Sequence, residues 1–182
     1  FDNTIYNYDI CNKKGLENIF NHISLKYSFN INYIKNIYDK INSNIKNSNN
    51  YANKFNKSIY FKQLLENLSI ELKELEIILN LYEEGFNSQI ELYLGITEFI
   101  LMLKKKNIKI GMLSNNLFLQ QYSKLFKLNI LKYFDYIQTT EEIGNEKPSL
   151  IPYLVLINKM CINKENIIMI GDNYNHDIIP AL

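Results

Sequence analysis

Residues 108–116 read IKIGMLSNN, a short apolar run that ends in a hydroxyl and two amides. A helical pattern over residues 117 to about 126 follows this run, which predicts a buried strand leading into a helix. Two further apolar runs lie at residues 136–139 and 167–170, separated by a helical pattern from about 150 to 160. Short strands that alternate with helices predict an α/β fold, a Rossmann-like parallel sheet covered by helices.

The first half of the chain has a different spacing of apolar residues. Apolar side chains recur at helical spacing from Leu16 to about Tyr82, which predicts a small helical bundle. We therefore expect residues 11–90 to form a helical insertion in an α/β core made of residues 1–10 and 91–182. The run of Asn, Ser and Lys over residues 42–58 predicts a mobile connection between helices.

Composition limits the classes of function. The chain has 182 residues, of which 47% are hydrophobic, and it contains 20 basic and 19 acidic side chains. A net charge of +1 offers no overall field for nucleic acid or an anionic membrane, and no apolar stretch reaches the roughly 20 residues that span a bilayer. Cys11 and Cys161 lie far apart, as is typical of reduced thiols in a cytoplasmic protein. The composition leaves the oligomeric state open.

Polar side chains follow each predicted strand. Ser114 and Asn115 come directly after the first strand, Lys147 lies in the turn after the second, and Asp172 follows the third. The carboxyl ends of parallel strands meet at one edge of a sheet, where ligands bind. The sequence therefore predicts that these groups converge in one crevice.

Each of these residues also has a purely structural interpretation. Asp172 and Asp177 offer the hard oxygen ligands that Mg²⁺ prefers, but the same carboxylates serve as turn and helix caps. Ser114 begins a phosphate cradle or is an ordinary N-cap. Lys147 is a solvated surface lysine, unless Pro148, which is suited to a first helical turn, holds it in place.

In chain order, the four segments resemble the motifs of the haloacid-dehalogenase-like (HAD) hydrolase superfamily. The first motif of that superfamily reads Asp-x-Asp-x-Thr, the second ends a strand in Ser or Thr, the third is a Lys, and the fourth is Gly-Asp with a later Asp. The matching residues here are Phe1-Asp2-Asn3-Thr4, Ser114, Lys147, and Gly171-Asp172 with Asp177. The helical region lies where the superfamily inserts a helical cap.

The resemblance implies a Mg²⁺-dependent hydrolase that acts on a small phosphomonoester, such as a nucleotide or sugar phosphate, through an aspartyl-phosphate. It assigns general acid and base chemistry to Asp2 and charge neutralisation to Lys147. It assigns phosphoryl binding to Ser114 and Asn115. The metal would be held by the backbone carbonyl of Asp2 and by Asp172, with Asp177 as a ligand or support. The matching nucleophile would be an aspartate directly before Phe1, so we expect a chain truncated at both ends.

Other functions fit parts of this pattern. A haloacid dehalogenase uses the same nucleophile on carbon without a metal, and a receiver-like signalling domain shares an aspartyl-phosphate, a hydroxyl and a Lys. A catalytically inactive HAD-like binding protein is a further alternative. The Asp172 and Asp177 pair favours the phosphatase, and the helical insertion disfavours the receiver. Tyr6 and Tyr8 are expected to pack in the core rather than to stack on a base.

Overall fold

The computed structural model describes residues 1–48 and 54–182. The chain forms two compact units, one of Tyr8–Ile90 and one that combines Phe1–Asn7 with Glu91–Leu182. Part of the predicted connection over residues 42–58 lies outside the described residues. Its first part is helical, since the second helix runs on to Asn47.

The first unit is helical, as the apolar spacing predicts. Helix α1 packs against α4, and α2 packs against α3. The fully buried side chains between them are aliphatic and aromatic, and they include Ile19, Ile34, Phe61, Leu64 and Ile78. The helices are α1 (Tyr8–Tyr27), α2 (Ile31–Asn47), α3 (Lys57–Asn67) and α4 (Leu75–Ser88).

Two glycines allow α1 and α4 to approach closely. A Cβ atom on Gly85 would lie 2.8 Å from the carbonyl oxygen of Lys14 and 2.9 Å from the Cα of Gly15. Both neighbours are backbone atoms, which cannot move aside as a side chain can. The absence of a side chain at Gly85 is therefore a condition for this helix crossing.

The second unit contains a parallel sheet with helices, and the predicted α/β fold class is confirmed. Strands β1 and β2 pair in parallel, with Ser114 opposite Thr139 at their carboxyl ends. A buried cluster that includes Met112 and Leu125 joins the sheet to its helices. The elements are α5 (Ile96–Lys105), β1 (Gly111–Ser114), α6 (Phe118–Lys127), β2 (Tyr136–Thr139), α7 (Thr140–Ile143) and α8 (Ile151–Met160).

Two strand predictions need correction. Strand β1 starts at Gly111 rather than at Ile108, because the Ile108 N–H closes the end of α5 by bonding to the Leu103 carbonyl over 3.0 Å. Residues 167–170 form no strand, and Ile168 in this segment is 87% exposed. The Ile167 backbone is extended, but in the described part of the chain the ladder contains only β1 and β2. An extended segment becomes a strand only when a neighbour pairs with it.

Two sequence-wide expectations concern the membrane and the thiols. Among the described residues, no helix combines the length and apolarity that crossing a bilayer requires. Neither Cys11 nor Cys161, both within the described residues, forms a disulfide; Cys11 is buried and Cys161 is exposed.

Candidate active site

The carboxylate of Asp2 accepts hydrogen bonds from a ring of side chains. Its Oδ1 accepts from Lys124 Nζ over 2.8 Å and from the hydroxyl of Tyr6. Its Oδ2 accepts from Gln121 Nε2 over 3.0 Å and from Asn116 Nδ2 over 3.2 Å. Tyr6 is fully buried, so the prediction that it packs in the core is confirmed.

These contacts hold Asp2 in its ionised form. Burial by itself raises the pKa of the Asp2 carboxyl, but the Lys124 ammonium and the hydrogen bonds from Lys124 and Tyr6 outweigh it. The net effect lowers the pKa of Asp2 from 3.8 to about 2. Asp2 is therefore a carboxylate at neutral pH.

Ser114 lies at the carboxyl end of β1 and is linked to Asp2 through one amide. Its Oγ accepts a hydrogen bond from Gln121 Nε2 over 2.5 Å, the same nitrogen that bonds to Asp2. Gln121 is fully buried on α6, and its Oε1 has no partner among the described residues. A buried acceptor without a partner costs about 1–3 kcal/mol, so this amide is not placed for stability alone.

The N-cap interpretation of Ser114 is wrong. Helix α6 begins at Phe118, with Leu117 at the N-cap and no side-chain cap. The first N–H of the helix, on Phe118, donates to Glu141 Oε2 over 2.7 Å. The Phe118 N–H is thus bonded to Glu141, and Ser114 belongs to the strand edge.

Lys147 is held from both its backbone and its side chain. Its N–H donates to Asn115 Oδ1 over 2.9 Å, and Asn115 Nδ2 donates back to the Lys147 carbonyl over 3.1 Å. Its Nζ donates to the Asp177 carboxylate, and the side chains of this ion pair are 9% and 5% exposed. The surface interpretation of Lys147 is therefore wrong. Its position does not depend on a helical Pro148, because α8 begins only at Ile151.

Asp177 lies in a π-helical turn, Tyr174–Ile178, and does not cap it. The cap is Asn173, whose side chain accepts from the His176 N–H over 3.0 Å. Asp177 Oδ2 accepts from the Asn173 N–H over 3.1 Å. Burial raises the pKa of Asp177, but the hydrogen bond and charge of Lys147 outweigh it, so that pKa is lowered overall.

Gly171 makes room for this carboxylate. A Cβ atom on Gly171 would collide with the side chain of Asp177. Gly171 is not among the positive-φ glycines of the chain, so the turn does not require its backbone freedom. Glycine is needed at position 171 because any side chain there would overlap with that of Asp177.

Asp172 is exposed and joins the two ends of the unit. Its Oδ1 accepts a hydrogen bond from the Thr4 hydroxyl over 3.0 Å. The contacts therefore close a circuit through all four predicted segments. The circuit runs from Asp2 through Gln121 to Ser114, from Asn115 through Lys147 to Asp177, and from Asp172 back to Thr4.

The donor set suits a cation held by few protein ligands. Within residues 1–48 and 54–182, no three His, Cys, Asp or Glu side chains form a metal cluster. Mg²⁺ usually takes one or two carboxylates and completes its shell with water and substrate phosphate, so the exposed Asp172 fits this mode. Asp2 and Asp177 are each paired with a lysine, and the three carboxylates exceed the two ammonium groups by one negative charge.

Sequence reasoning missed three residues of the site: Gln121, Lys124 and Asn116. A signal was present in helix α6, where Gln121 and Lys124 are three positions apart and share the buried face with Leu125. Polar side chains on the core face of a helix need partners inside the protein. That pattern predicts an acidic or hydroxyl partner, although it does not say which one.

Known proteins resemble this chain in sequence. A glyceraldehyde 3-phosphate phosphatase of Methanothermobacter thermautotrophicus is 33% identical over 85 residues, which is 47% of this chain and 38% of that protein. A ribulose-1,5-bisphosphate 5-phosphatase of Halopiger xanaduensis is 24% identical over 184 residues, covering 99% of this chain and 77% of that protein. The match thus spans well under half the length of the first of these relatives.

A solved structure and a family model also match this chain over its whole length. A HAD phosphatase from Thermococcus onnurineus shares the fold with a TM-score of 0.77 at 19% identity, over 100% of this chain and 78% of that one. The model of the haloacid dehalogenase-like hydrolases matches residues 1–182. A match over the full sequence, with the motif residues gathered around Asp2 and Lys147, places the chain in the haloacid dehalogenase-like hydrolase family.

Proposed function

We propose that this protein is a Mg²⁺-dependent phosphomonoester hydrolase that acts on a small phosphorylated metabolite. The observation that carries the proposal is the closed circuit of contacts from Asp2 to Ser114, Lys147 and Asp172. Phosphoryl transfer requires of a protein chiefly that it position the reactants and neutralise charge. Relatives named as phosphatases of glyceraldehyde 3-phosphate and ribulose-1,5-bisphosphate support small sugar phosphates as the substrate class.

The phosphoryl group would be bound at the carboxyl end of β1. The Ser114 hydroxyl and the Asn115 N–H donate to phosphoryl oxygens. Asn115 also holds the backbone of Lys147, so that the phosphate site and the lysine are built on one rigid connection. Lys147 offsets charge that develops on the phosphoryl group, while Asp177 holds its ammonium in place.

The chemistry would proceed in two steps. The family resemblance implies that an aspartate attacks phosphorus, which forms an aspartyl-phosphate and releases the alcohol. Water then attacks phosphorus, and inorganic phosphate leaves. Asp2 donates a proton to the leaving oxygen in the first step and takes one from water in the second. The contacts of Asp2 with Lys124 and Tyr6 favour its ionised form, which is the form that the base role requires.

A divalent cation would offset two of the three excess negative charges of the proposed site with its substrate. Its side chains already carry one excess negative charge, and a phosphomonoester dianion adds two more. When bound, Mg²⁺ supplies the compensating charge on the phosphoryl oxygens. Asp172 and the backbone carbonyl of Asp2 would hold it, and Asp177 would act in support by holding Lys147.

A hydrolysis screen of the full-length protein tests the proposal. The panel contains phosphorylated trioses and pentoses, phosphoglycolate and nucleoside monophosphates, each with Mg²⁺ or with EDTA, and 2-chloropropionate for the dehalogenase alternative. We expect phosphate release that depends on Mg²⁺. Chloride release without metal would assign the protein to the dehalogenases. A folded protein that releases neither ion would contradict hydrolase activity and favour a binding role.

A further inference from the structure

We propose that Gln121 is a positioning residue that directs the hydroxyl hydrogen of Ser114 toward the phosphoryl group of the substrate. This inference rests on the proposed phosphatase function. Gln121 lies on α6, outside the four segments that the family motifs cover, and its side chain is fully buried. Its amide nitrogen lies 2.5 Å from Ser114 Oγ and 3.0 Å from Asp2 Oδ2.

The orientation of the Gln121 amide follows from its neighbours. A glutamine amide has a donor end and an acceptor end, and the end between Asp2 and Ser114 must be the one that both oxygens can bond to. A carboxylate accepts hydrogen bonds and does not donate them. The NH₂ group of Gln121 must therefore face Asp2, and its two hydrogens serve Asp2 and Ser114.

This orientation in turn determines what Ser114 can do. A hydroxyl has a single hydrogen to donate and two lone pairs that accept. Because Gln121 occupies a lone pair of Ser114 Oγ as a donor, the Ser114 hydrogen cannot point at Gln121. No acceptor for that hydrogen is found among the described residues, so it remains available to a phosphoryl oxygen bound at the end of β1.

The oxygen end of the Gln121 amide shows that this side chain does not serve hydrogen bonding within the protein alone. Its Oε1 is buried without a partner among the described residues. A methionine of similar length would fill the same space without that orphaned acceptor. The amide is explained by its donor end, which couples the acid/base residue Asp2 to the phosphate-binding residue Ser114.

A double-mutant cycle on the full-length protein tests the coupling. The variants are Gln121→Met, Ser114→Ala and the double substitution, with Gln120→Met as the control at the neighbouring position of the same helix. Two quantities are measured: the dissociation constant of inorganic phosphate by calorimetry, and kcat/KM on the best substrate. Circular dichroism confirms that each variant is folded.

We expect Gln121→Met to weaken phosphate binding and to lower kcat/KM by about 10- to 100-fold, the usual loss when a group that orients a ligand is removed. In the Ser114→Ala background the same substitution should add no more than about threefold, because its target is gone. Gln120→Met should stay within about twofold of the parent. Should Gln121→Met fail to fold, Gln121→Leu also removes the donors without adding a charge, and we expect the same loss of phosphate affinity.

Two results would overturn this inference without affecting the proposed function. One is a variant at position 121 that binds phosphate as tightly as the parent. The other is a double variant whose loss of phosphate affinity equals the product of the two single losses. Both leave an active parent enzyme, so the proposed function would stand. If the parent binds phosphate but hydrolyses no phosphomonoester, the proposed function is contradicted. The phosphate dissociation constants of the variants would still test the role of Gln121. A parent that neither binds phosphate nor hydrolyses a phosphomonoester would remove both.

Discussion

The hydroxyl of Thr4 donates a hydrogen bond to Oδ1 of Asp172 over 3.0 Å, although 168 residues separate them. This contact ties the segment of Asp2 to the segment of Asp172 and Asp177. It also occupies one oxygen of the exposed Asp172 and orients the other. The proposed cation ligand is thus set in place by the same short segment that carries the proposed acid/base residue.

Removing the Asp172 charge should weaken metal binding. In Asp172→Asn, we expect the Mg²⁺ concentration for half-maximal activity to rise by at least about tenfold, because a hard cation loses its ionised ligand. Thr4→Val should cause a smaller rise, since the ligand remains but is no longer oriented. Glu165→Gln, which removes an exposed carboxylate of the same unit, is the control. A titration curve of Asp172→Asn that superimposes on the parent curve would rule out the ligand role.

Removing Lys147 should affect both turnover and stability. Loss of a positioned charge in a buried site lowers turnover by about 10²-fold or more. Lys147→Met also leaves the Asp177 carboxylate buried without its counter-ion, which destabilises a fold by about 3–5 kcal/mol. Denaturant unfolding measures the second effect, and Lys147→Met/Asp177→Leu should recover much of the lost stability. Equal stability of the single and double variants would contradict a buried pair.

A methyl group on Gly171 should displace the Asp177 carboxylate. We expect Gly171→Ala to lower the free energy of unfolding by about 1–3 kcal/mol and to reduce turnover, because the added Cβ takes the space of Asp177. Gly111→Ala is the matched control, since its Cβ would first meet the flexible Met160 side chain at 3.2 Å. Urea unfolding and initial rates are the measurements. The contact argument fails if both variants behave alike.

Asp2 should make stability depend on acidity. Its pKa is about 2 in the folded protein and 3.8 ordinarily, so its contribution is present above the ordinary value and is lost as the pH falls toward the folded value. Between about pH 5 and pH 2, the parent should lose about 2 kcal/mol more stability than Asp2→Asn. Lys124→Met should flatten the pH dependence as well, since it removes the main stabilising charge. Urea unfolding at several pH values gives the comparison, and parallel profiles would show that Asp2 is not held by Lys124.

The sequence by itself determined the α/β class and the helical first half, and it predicted some of the polar residues around the sheet edge. Helical spacing from Leu16 to Tyr82 and the apolar runs before Ser114 and Asp172 are local patterns, and a local pattern needs no knowledge of distant partners. The place of Ser114 at the end of β1 could be predicted because an apolar run marks the strand before it, and ligands bind where parallel strands end. Residues 167–170 show the limit of this reasoning: their composition is that of a strand, but a strand exists only where a neighbour pairs with it.

The tertiary structure alone decided which groups meet. Asp2 lies against Lys124 and Gln121, more than a hundred positions along the chain, and Lys147 is buried against Asp177 instead of being solvated. Such contacts depend on how α6 packs against the sheet and on where the turn after residue 171 runs. Packing angles of that kind arise from the summed shape of many side chains, and no local spacing encodes them. The charge state of Asp2 and the direction of the Ser114 hydroxyl are therefore properties of the folded chain.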